Sequence, residues 1–266
     1  MALELFKQAL KDRFMGALIV SVLLFLYIFW IATFYPQLSD MGDVYAQMLQ
    51  NPTFKAFLGD EMFALTTFSG FMGVEVFSYM GLVIGAYVAF MTASFVAGEI
   101  EQKTSDLLLS LPVSRVGVIV SRFMALIPIV AIIMLSMLAG IYAGARYIDE
   151  SVQIEWYALA MLFLGAFTLA VGAASLFISA LMSDGKRSAL ISIGILLAMY
   201  LVENIGAVVT GIDWARRLSL FHYLKLNTIA VSHTVNWNNM AVLLAVTAVF
   251  LILAAIAFRQ RDINVT

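Results

Sequence analysis

No cysteine occurs among the 266 residues, charged residues make up only 12%, and histidine appears twice. The first absence removes disulfides, thiolate metal sites and a cysteine nucleophile, and leaves the redox compartment open. The shortage of charge is more telling, because soluble domains carry roughly 25% charged residues. The two histidines, His222 and His233, stand too far apart for a pair of metal ligands on one helix turn, so no metal is expected. Basic residues are scattered, the net charge is -2, and no Lys/Arg-rich face forms, which excludes a nucleic-acid partner.

Catalytic patterns are missing as well. SDGKRS, Ser183 to Ser188, resembles the end of a phosphate-binding loop, yet it lacks the first glycine, and Arg187 follows Lys186 where Ser or Thr should stand. The chain is therefore not expected to bind ATP itself. No H-E-x-x-H, G-x-S-x-G or aspartate-rich motif occurs, and there is neither a fixed-period repeat nor a low-complexity tract. A catalytic site is not expected, and a transport subunit is the better reading than an enzyme.

What is present is apolar. Hydrophobic residues make up 63% of the chain and the mean hydropathy is +0.97. A hydrocarbon layer roughly 30 Å thick takes about 20 residues of helix. On that ruler the chain divides into six spans: about Gly16 to Phe34, Val76 to Ala97, Phe123 to Ala145, Trp156 to Met182, Ser188 to Gly211 with one acidic interruption, and Met240 to Phe258. The first is too long for a signal-peptide core and has no A-x-A-like exit.

Lys and Arg set the orientation. With the N-terminus cytoplasmic, Lys7, Lys11, Arg13, Lys103, Arg115, Arg122, Lys186, Arg187, Arg259 and Arg261 lie inside, whereas Lys55, Arg146, Arg216, Arg217 and Lys225 lie outside. That two-to-one bias places both termini in the cytoplasm. The expected fold is thus an all-α membrane protein of six transmembrane helices, a single transmembrane domain over residues 1–266.

The segments between spans add detail. Residues 1–15 read as an interfacial helix, with Leu3, Phe6, Leu10 and Phe14 at helical spacing among Glu4, Lys7, Lys11 and Asp12. The outer loop, residues 35–75, reads as a short helix from about Leu38 to Gln50, a break at Asn51-Pro52 and a second short helix. The outer segment 212–239 is dense in aromatics, including Trp214, Phe221, Tyr223 and Trp237, as membrane interfaces are.

One stretch, Glu99 to Arg115, interrupts the apolar pattern with charge. On a helical wheel Ile100, Thr104, Leu107 and Leu111 share one face, with Leu108 at its edge. Glu101, Gln102, Ser105, Asp106 and Ser110 spread over the other, and Leu109 sits in the middle of that polar face. Such a helix can lie against the spans and offer the face around Leu109 to a cytoplasmic partner; a solvated amphipathic linker fits the wheel equally well.

The full stretch EIEQKTSDLLLSLPVSRVGVIVSRF resembles the segment after the second span in permease subunits of type-two ATP-binding-cassette (ABC) transporters, with its frequent pattern E-x-E-x-G-T-x-E-x-L-L-S-x-P-V-S-R. Glu99, Glu101, Thr104, Leu108, Leu109, Ser110, Pro112, Val113, Ser114 and Arg115 fall on that pattern, Asp106 replaces an acidic position, and Lys103 stands where glycine is frequent. The layout of the whole chain matches too. The resemblance implies a permease that pairs with a second permease, as a homo- or heterodimer, in the plasma membrane. It also implies two cytoplasmic ATPase subunits, which hold ATP and Mg²⁺, so this chain needs no cofactor. Residues 99–113 would be the coupling helix seated on the ATPase, and the outer segment between spans five and six would be re-entrant. Export is the family tendency. The alternative function is a non-transporting membrane anchor or assembly factor that recruits a cytoplasmic ATPase.

Ionisable groups inside spans are costly and are functional candidates by default. Glu203, beside Asn204, stands in the outer part of the fifth span. Either it lines a gate at the dimer axis, or the span breaks there and Glu203 reaches the headgroups and pairs with Arg216 or Arg217; the second is favoured. Tyr87, Ser192 and Tyr200 are further candidates for the pathway, although small and hydroxyl residues more commonly serve helix packing in membranes.

Overall fold

The computed structural model describes residues 2–39, 67–101, 114–209 and 211–261. Six helices among them are long and apolar enough to cross a membrane. They are α1 (Ala2–Ala32), then a second span assembled from α3 (Phe68–Met72), a π-helical turn (Gly73–Phe77) and α4 (Ser78–Ala93), and then α6 (Arg115–Tyr147), α7 (Ile154–Leu181), α8 (Gly185–Val208) and α11 (Trp237–Gln260). Shorter helices fill the connections: α2 (Tyr35–Ser39), α5 (Ala97–Glu101), α9 (Asp213–Arg216), a 3₁₀ turn (Leu220–Tyr223) and α10 (Leu226–Ser232). No strand is present among the described residues. Six crossings bring Ala2 and Gln260 to one end of the bundle, called proximal below; the opposite end is distal.

Helix α7 occupies the centre. Its apolar residues are buried nearly all round, and it packs on α11, α4, α6 and α8. Helix α1 joins the bundle through α6, whereas α8 joins on the other side through α4 and α7. Because lipid is as apolar as leucine, burying apolar surface does not drive these contacts; close backbone approach does.

The α1–α6 seam shows the principle. Ser136, Gly140 and Gly144 recur every fourth residue of α6 and face Ser21, Phe25, Ile28 and Ala32 of α1. The Ser136 hydroxyl donates to the Ser21 carbonyl across the seam. A Cβ at Gly140 would stand 3.0 Å from the Phe25 carbonyl oxygen, and one at Gly144 would collide with Cβ of Ala32. Gly144→Leu is therefore expected to part the two helices and lower stability by about 1–3 kcal/mol, as overpacking does. Thermal unfolding in detergent, with the exposed Ala139→Leu as a control that leaves the midpoint unchanged, measures it.

Small residues also mark the packed side of the N-terminal helix. The amphipathic segment and the first span form one helix with no break at Gly16. Its bundle-facing stripe is Leu5, Ala9, Ala17, Ser21, Leu24 and Ile28, while Leu3 and Phe14 of the expected apolar face point outward. Small residues such as Ala9, Ala17 and Ser21 within that stripe let the neighbouring helix approach closely.

Two local irregularities shape the second span. The π-helical turn contains one residue more per turn than an α-helix, a widening often found at functional sites. The Tyr27 hydroxyl donates to the carbonyl of Glu75 at 3.3 Å, and Tyr79 reaches the same oxygen, so the turn fastens α1 distally. At the proximal end the helix stops after Ala93 and restarts at Ala97. Ser179 of α7 fills the gap: its hydroxyl accepts from the amides of Val96 (3.1 Å) and Ala97 (3.0 Å) and donates to the Ala93 carbonyl at 2.6 Å.

Most of the expected outer-loop helix, together with the break at Asn51-Pro52, lies outside the described residues, as does the coupling segment from Gln102 to Val113. The third span begins at Arg115, eight residues before the expected Phe123, because Ser114 caps it by accepting from the Gly117 amide at 3.1 Å.

Candidate functional site

Charged and polar side chains gather at both ends of the bundle. At the proximal end, α5 carries the first residues of the charged stretch. Glu99 forms an ion pair with Arg122 of α6, whose side chain is only 7% exposed. Arg13 of α1 approaches from the other side, donating to the Ser94 hydroxyl at 2.9 Å and lying over the Phe95 ring at 5.4 Å. A buried guanidinium needs a counter-charge, and Glu99 supplies it for Arg122. Glu101 turns to α8, where its carboxylate accepts from the Gly185 amide at 2.9 Å. The first turn of that helix presents unpaired amides and positive dipole, which a carboxylate satisfies. Gly185 permits the approach, for a Cβ there would lie 3.2 Å from Cα of Gly98.

Glu99 and Glu101 thus bind the start of the charged stretch to two different spans, and Ser179 binds it to a third. At the other end of the stretch, Arg115 donates to the carbonyls of Phe258, Arg259 and Arg261 at 3.3, 3.3 and 2.5 Å, where α11 runs out of amide partners. Arg261 in turn donates to the carbonyls of Ala180 (3.0 Å) and Met182 (2.7 Å) at the end of α7, and burial lowers its pKa from the ordinary arginine value. Arg115 therefore acts here as a cap on the last span. Thr104, Asp106, Leu108, Leu109 and Pro112 lie outside the described residues.

The distal end holds a second cluster, built on Glu203. Helix α8 does not break at this residue but continues to Val208, contrary to the favoured expectation, because the carboxylate finds its partners in the protein. Its side chain is 12% exposed and accepts from Arg216 at 3.0 and 3.3 Å and from Lys225 at 3.0 Å, with His222 Nδ1 at 3.2 Å. Of the two arginines weighed as its partner, Arg216 is the one that pairs; the backbone carbonyl of Arg217 accepts from the Tyr223 hydroxyl instead. The carboxylate raises the pKa of Arg216 above the ordinary arginine value, chiefly through their hydrogen bonds. Arg216 reaches Glu203 by lying across Gly206, where a Cβ would stand 2.6 Å from its Cγ.

Clasped in this way, the distal segment packs down between the spans. Phe221 stacks at an angle on Phe167 of α7 (4.8 Å) and Tyr200 of α8 (5.3 Å), and Leu224 fills the space over Gly81 of α4. A cavity of about 390 Å³ remains beside it, lined by Ser78, Tyr200, Glu203, Asn204, Arg216 and Lys225 among others. Three of the sequence candidates, Tyr200, Glu203 and Asn204, therefore meet at one place. Tyr87 and Ser192 do not join them. Tyr87 faces Gly16 of α1, and the buried Ser192 hydroxyl donates to the Ser188 carbonyl one turn back at 2.8 Å.

Sequence reading missed His222 and Lys225 as partners of Glu203, and Arg122 as the partner of Glu99. The signal that Lys225 and Arg122 carry in the sequence is a basic residue next to an apolar run, which bears on orientation and names no partner. Among the described residues no cluster of His, Asp or Glu forms a metal site.

Six helices long and apolar enough to cross a membrane, with polar joints at both ends, define a polytopic membrane protein. A family model described as ABC-2 family transporter protein matches residues 3–263, so the chain belongs to the ABC-2 transporter permease family. Its members are membrane transport subunits, not themselves catalytic, that generally work with ABC ATPases and often dimerise. No curated protein matches the chain.

Proposed function

We propose that this chain is the permease half of an ABC exporter in the plasma membrane, forming the substrate path as a dimer and driven by two separate cytoplasmic ATPases. The proximal end, with both termini, is then cytoplasmic. The observation that carries this reading is the fastening of α5: Glu99 to α6, Glu101 to α8, and the preceding break to Ser179 of α7. A push on residues 99–113 by a docked ATPase would move three spans together, as rigid elements rather than as a flexible loop. A mere anchor has no need of such a joint.

The lipid-facing side of α8 supports dimerisation. Leu190, Ile191, Gly194, Leu201 and Ile205 are exposed there with Ala198 and Asn204, and a Cβ at Gly194 would meet open space. Gly194 and Ala198, one turn apart, let a second helix approach closely. The Glu203 clasp then stands beside the dimer axis, where it holds the distal gate shut until the spans rotate.

Leu109→Asp is expected to lower ATPase association and ATP-driven transport while insertion and dimerisation persist. Glu101→Lys should do the same, with an added loss because it also removes the carboxylate that accepts from the Gly185 amide of α8. Co-purification with the ATPase measures the first effect and flux into inverted vesicles the second; wild-type behaviour of both variants would remove the docking role.

A further inference from the structure

A second distal cavity, of about 410 Å³, opens on the far side of the clasped segment, between α7, α10 and the start of α11. Its polar lining consists of Lys225, His222, Thr228, Thr234, Asn236 and Asn239, over an apolar floor of Phe163, Ile229 and Val235. No carboxylate lines it, in contrast to the cavity beside Glu203.

The donors are not exhausted by their known partners. Lys225 carries three N–H groups and directs one to Glu203. Glu203 offers one negative charge against the permanent charges of Arg216 and Lys225, so the clasp itself is left with a positive excess. Asp213 reaches Arg216 at 3.7 Å from a side chain that is 72% exposed, where solvent weakens its effect, and it does not line the cavity. The hydroxyls and amides around the rim can turn donors inward, as the oxygens of a phosphate require.

Depth identifies the source of that phosphate. Trp237 begins α11, exposes more than half its surface and contacts Phe163 of the cavity floor; Trp156, near the start of α7, stacks on His233 at 4.9 Å. Tryptophans at helix starts settle at headgroup level, so the mouth opens where lipid phosphates are concentrated. The apolar floor suits the first carbons beyond such a headgroup.

We propose that this cavity binds a phosphate group, supplied by the headgroup of an anionic phospholipid in the distal leaflet. It is distinct from the substrate path, since it lies behind the clasped segment and away from α8. Through Lys225 it touches the same segment that Glu203 holds, so a bound headgroup would compete with Glu203 for Lys225.

The test is retention of lipid by the purified chain in detergent, read by native mass spectrometry with phosphatidylglycerol and phosphatidylcholine offered in equal amounts, and with inorganic phosphate as a third probe. Phosphatidylglycerol is expected to be retained about fivefold over phosphatidylcholine, roughly the weight of one basic residue against an anionic lipid. Thr234→Glu, which puts a carboxylate on the exposed rim without touching the Glu203 clasp, should abolish that preference. Binding of inorganic phosphate, lost in Thr234→Glu, without lipid preference would uphold the phosphate site and assign it a soluble ligand. Equal retention of both lipids together with no phosphate binding, or a preference unchanged in Thr234→Glu, would overturn it. None of these readouts depends on transport.

Discussion

Arg122→Ala is expected to unfold the proximal end and lower stability by about 3–5 kcal/mol, the usual cost of stripping one partner from a buried ion pair. The side chain of Arg122 is 7% exposed and that of Glu99 24%, so both charges are largely withdrawn from water, with Arg13 as a second positive charge near Glu99. Glu99→Gln should cost less, because the amide still accepts a hydrogen bond, and the double variant Glu99→Gln with Arg122→Met should recover part of the loss of Arg122→Ala. The Nε of Arg122 already has no hydrogen-bond partner among the described residues, which marks it as a tightly enclosed group. Thermal unfolding in detergent gives the stability, and ATPase association gives the coupling. The double variant separates the two: recovered stability with association still lost would mean that the pair also sets the position of α5.

Glu203→Ala should free the distal segment without disturbing the bundle beneath it. Three donors, from Arg216, His222 and Lys225, then face one another with no carboxylate between them. Hydrogen exchange of the amides from Phe221 to Ala230 is expected to quicken at least about tenfold, the effect of losing a single charged hydrogen bond. Amides in the middle of α7 should exchange as before. Export, under the proposed function, would become leaky, because Phe221 would no longer be held against Phe167 and Tyr200. Unchanged exchange in the segment would show that its packing on Gly81 holds it without the clasp.

The architecture was largely legible in the sequence, because the bilayer imposes a ruler that a run of apolar residues either meets or does not. Six runs met it, and six spans result. Boundaries were less legible wherever a helix passes beyond the apolar region: Arg115 to Arg122 read as a connection and is the first part of α6. The N-terminal helix is present, and it runs on into the first span without a break. Of its pattern Leu3, Phe6, Leu10 and Phe14, Leu10 packs against the bundle while Leu3 and Phe14 are exposed, so the apolar face is shared between protein and surroundings.

The polar joints were half legible. Glu99, Glu101 and Glu203 stood out as acids at span ends, but their partners lie on other spans, and a sequence without contacts cannot pair Glu99 with Arg122 across 23 positions. Arg216 was named as a partner for Glu203 because it was near in sequence. Lys225 counts toward orientation and His222 lies in the aromatic-rich outer segment 212–239, and neither place excludes the clasp. The docking face around Leu109 rests on the helical wheel and the family pattern alone, since Gln102 to Val113 lies outside the described residues.

That face is where the central claim is tested most directly, and the absence of native cysteine makes the experiment clean. A single Leu109→Cys, in membranes containing the partner ATPase with one cysteine in its permease-facing groove, should form a cross-link, whereas Asn238→Cys at the distal end should not. A yield that changes with ATP would follow the proposed drive. No cross-link from position 109, with the two proteins still co-purifying, would contradict the account, because the ATPase would then hold the permease somewhere other than the element that α5 binds to three spans.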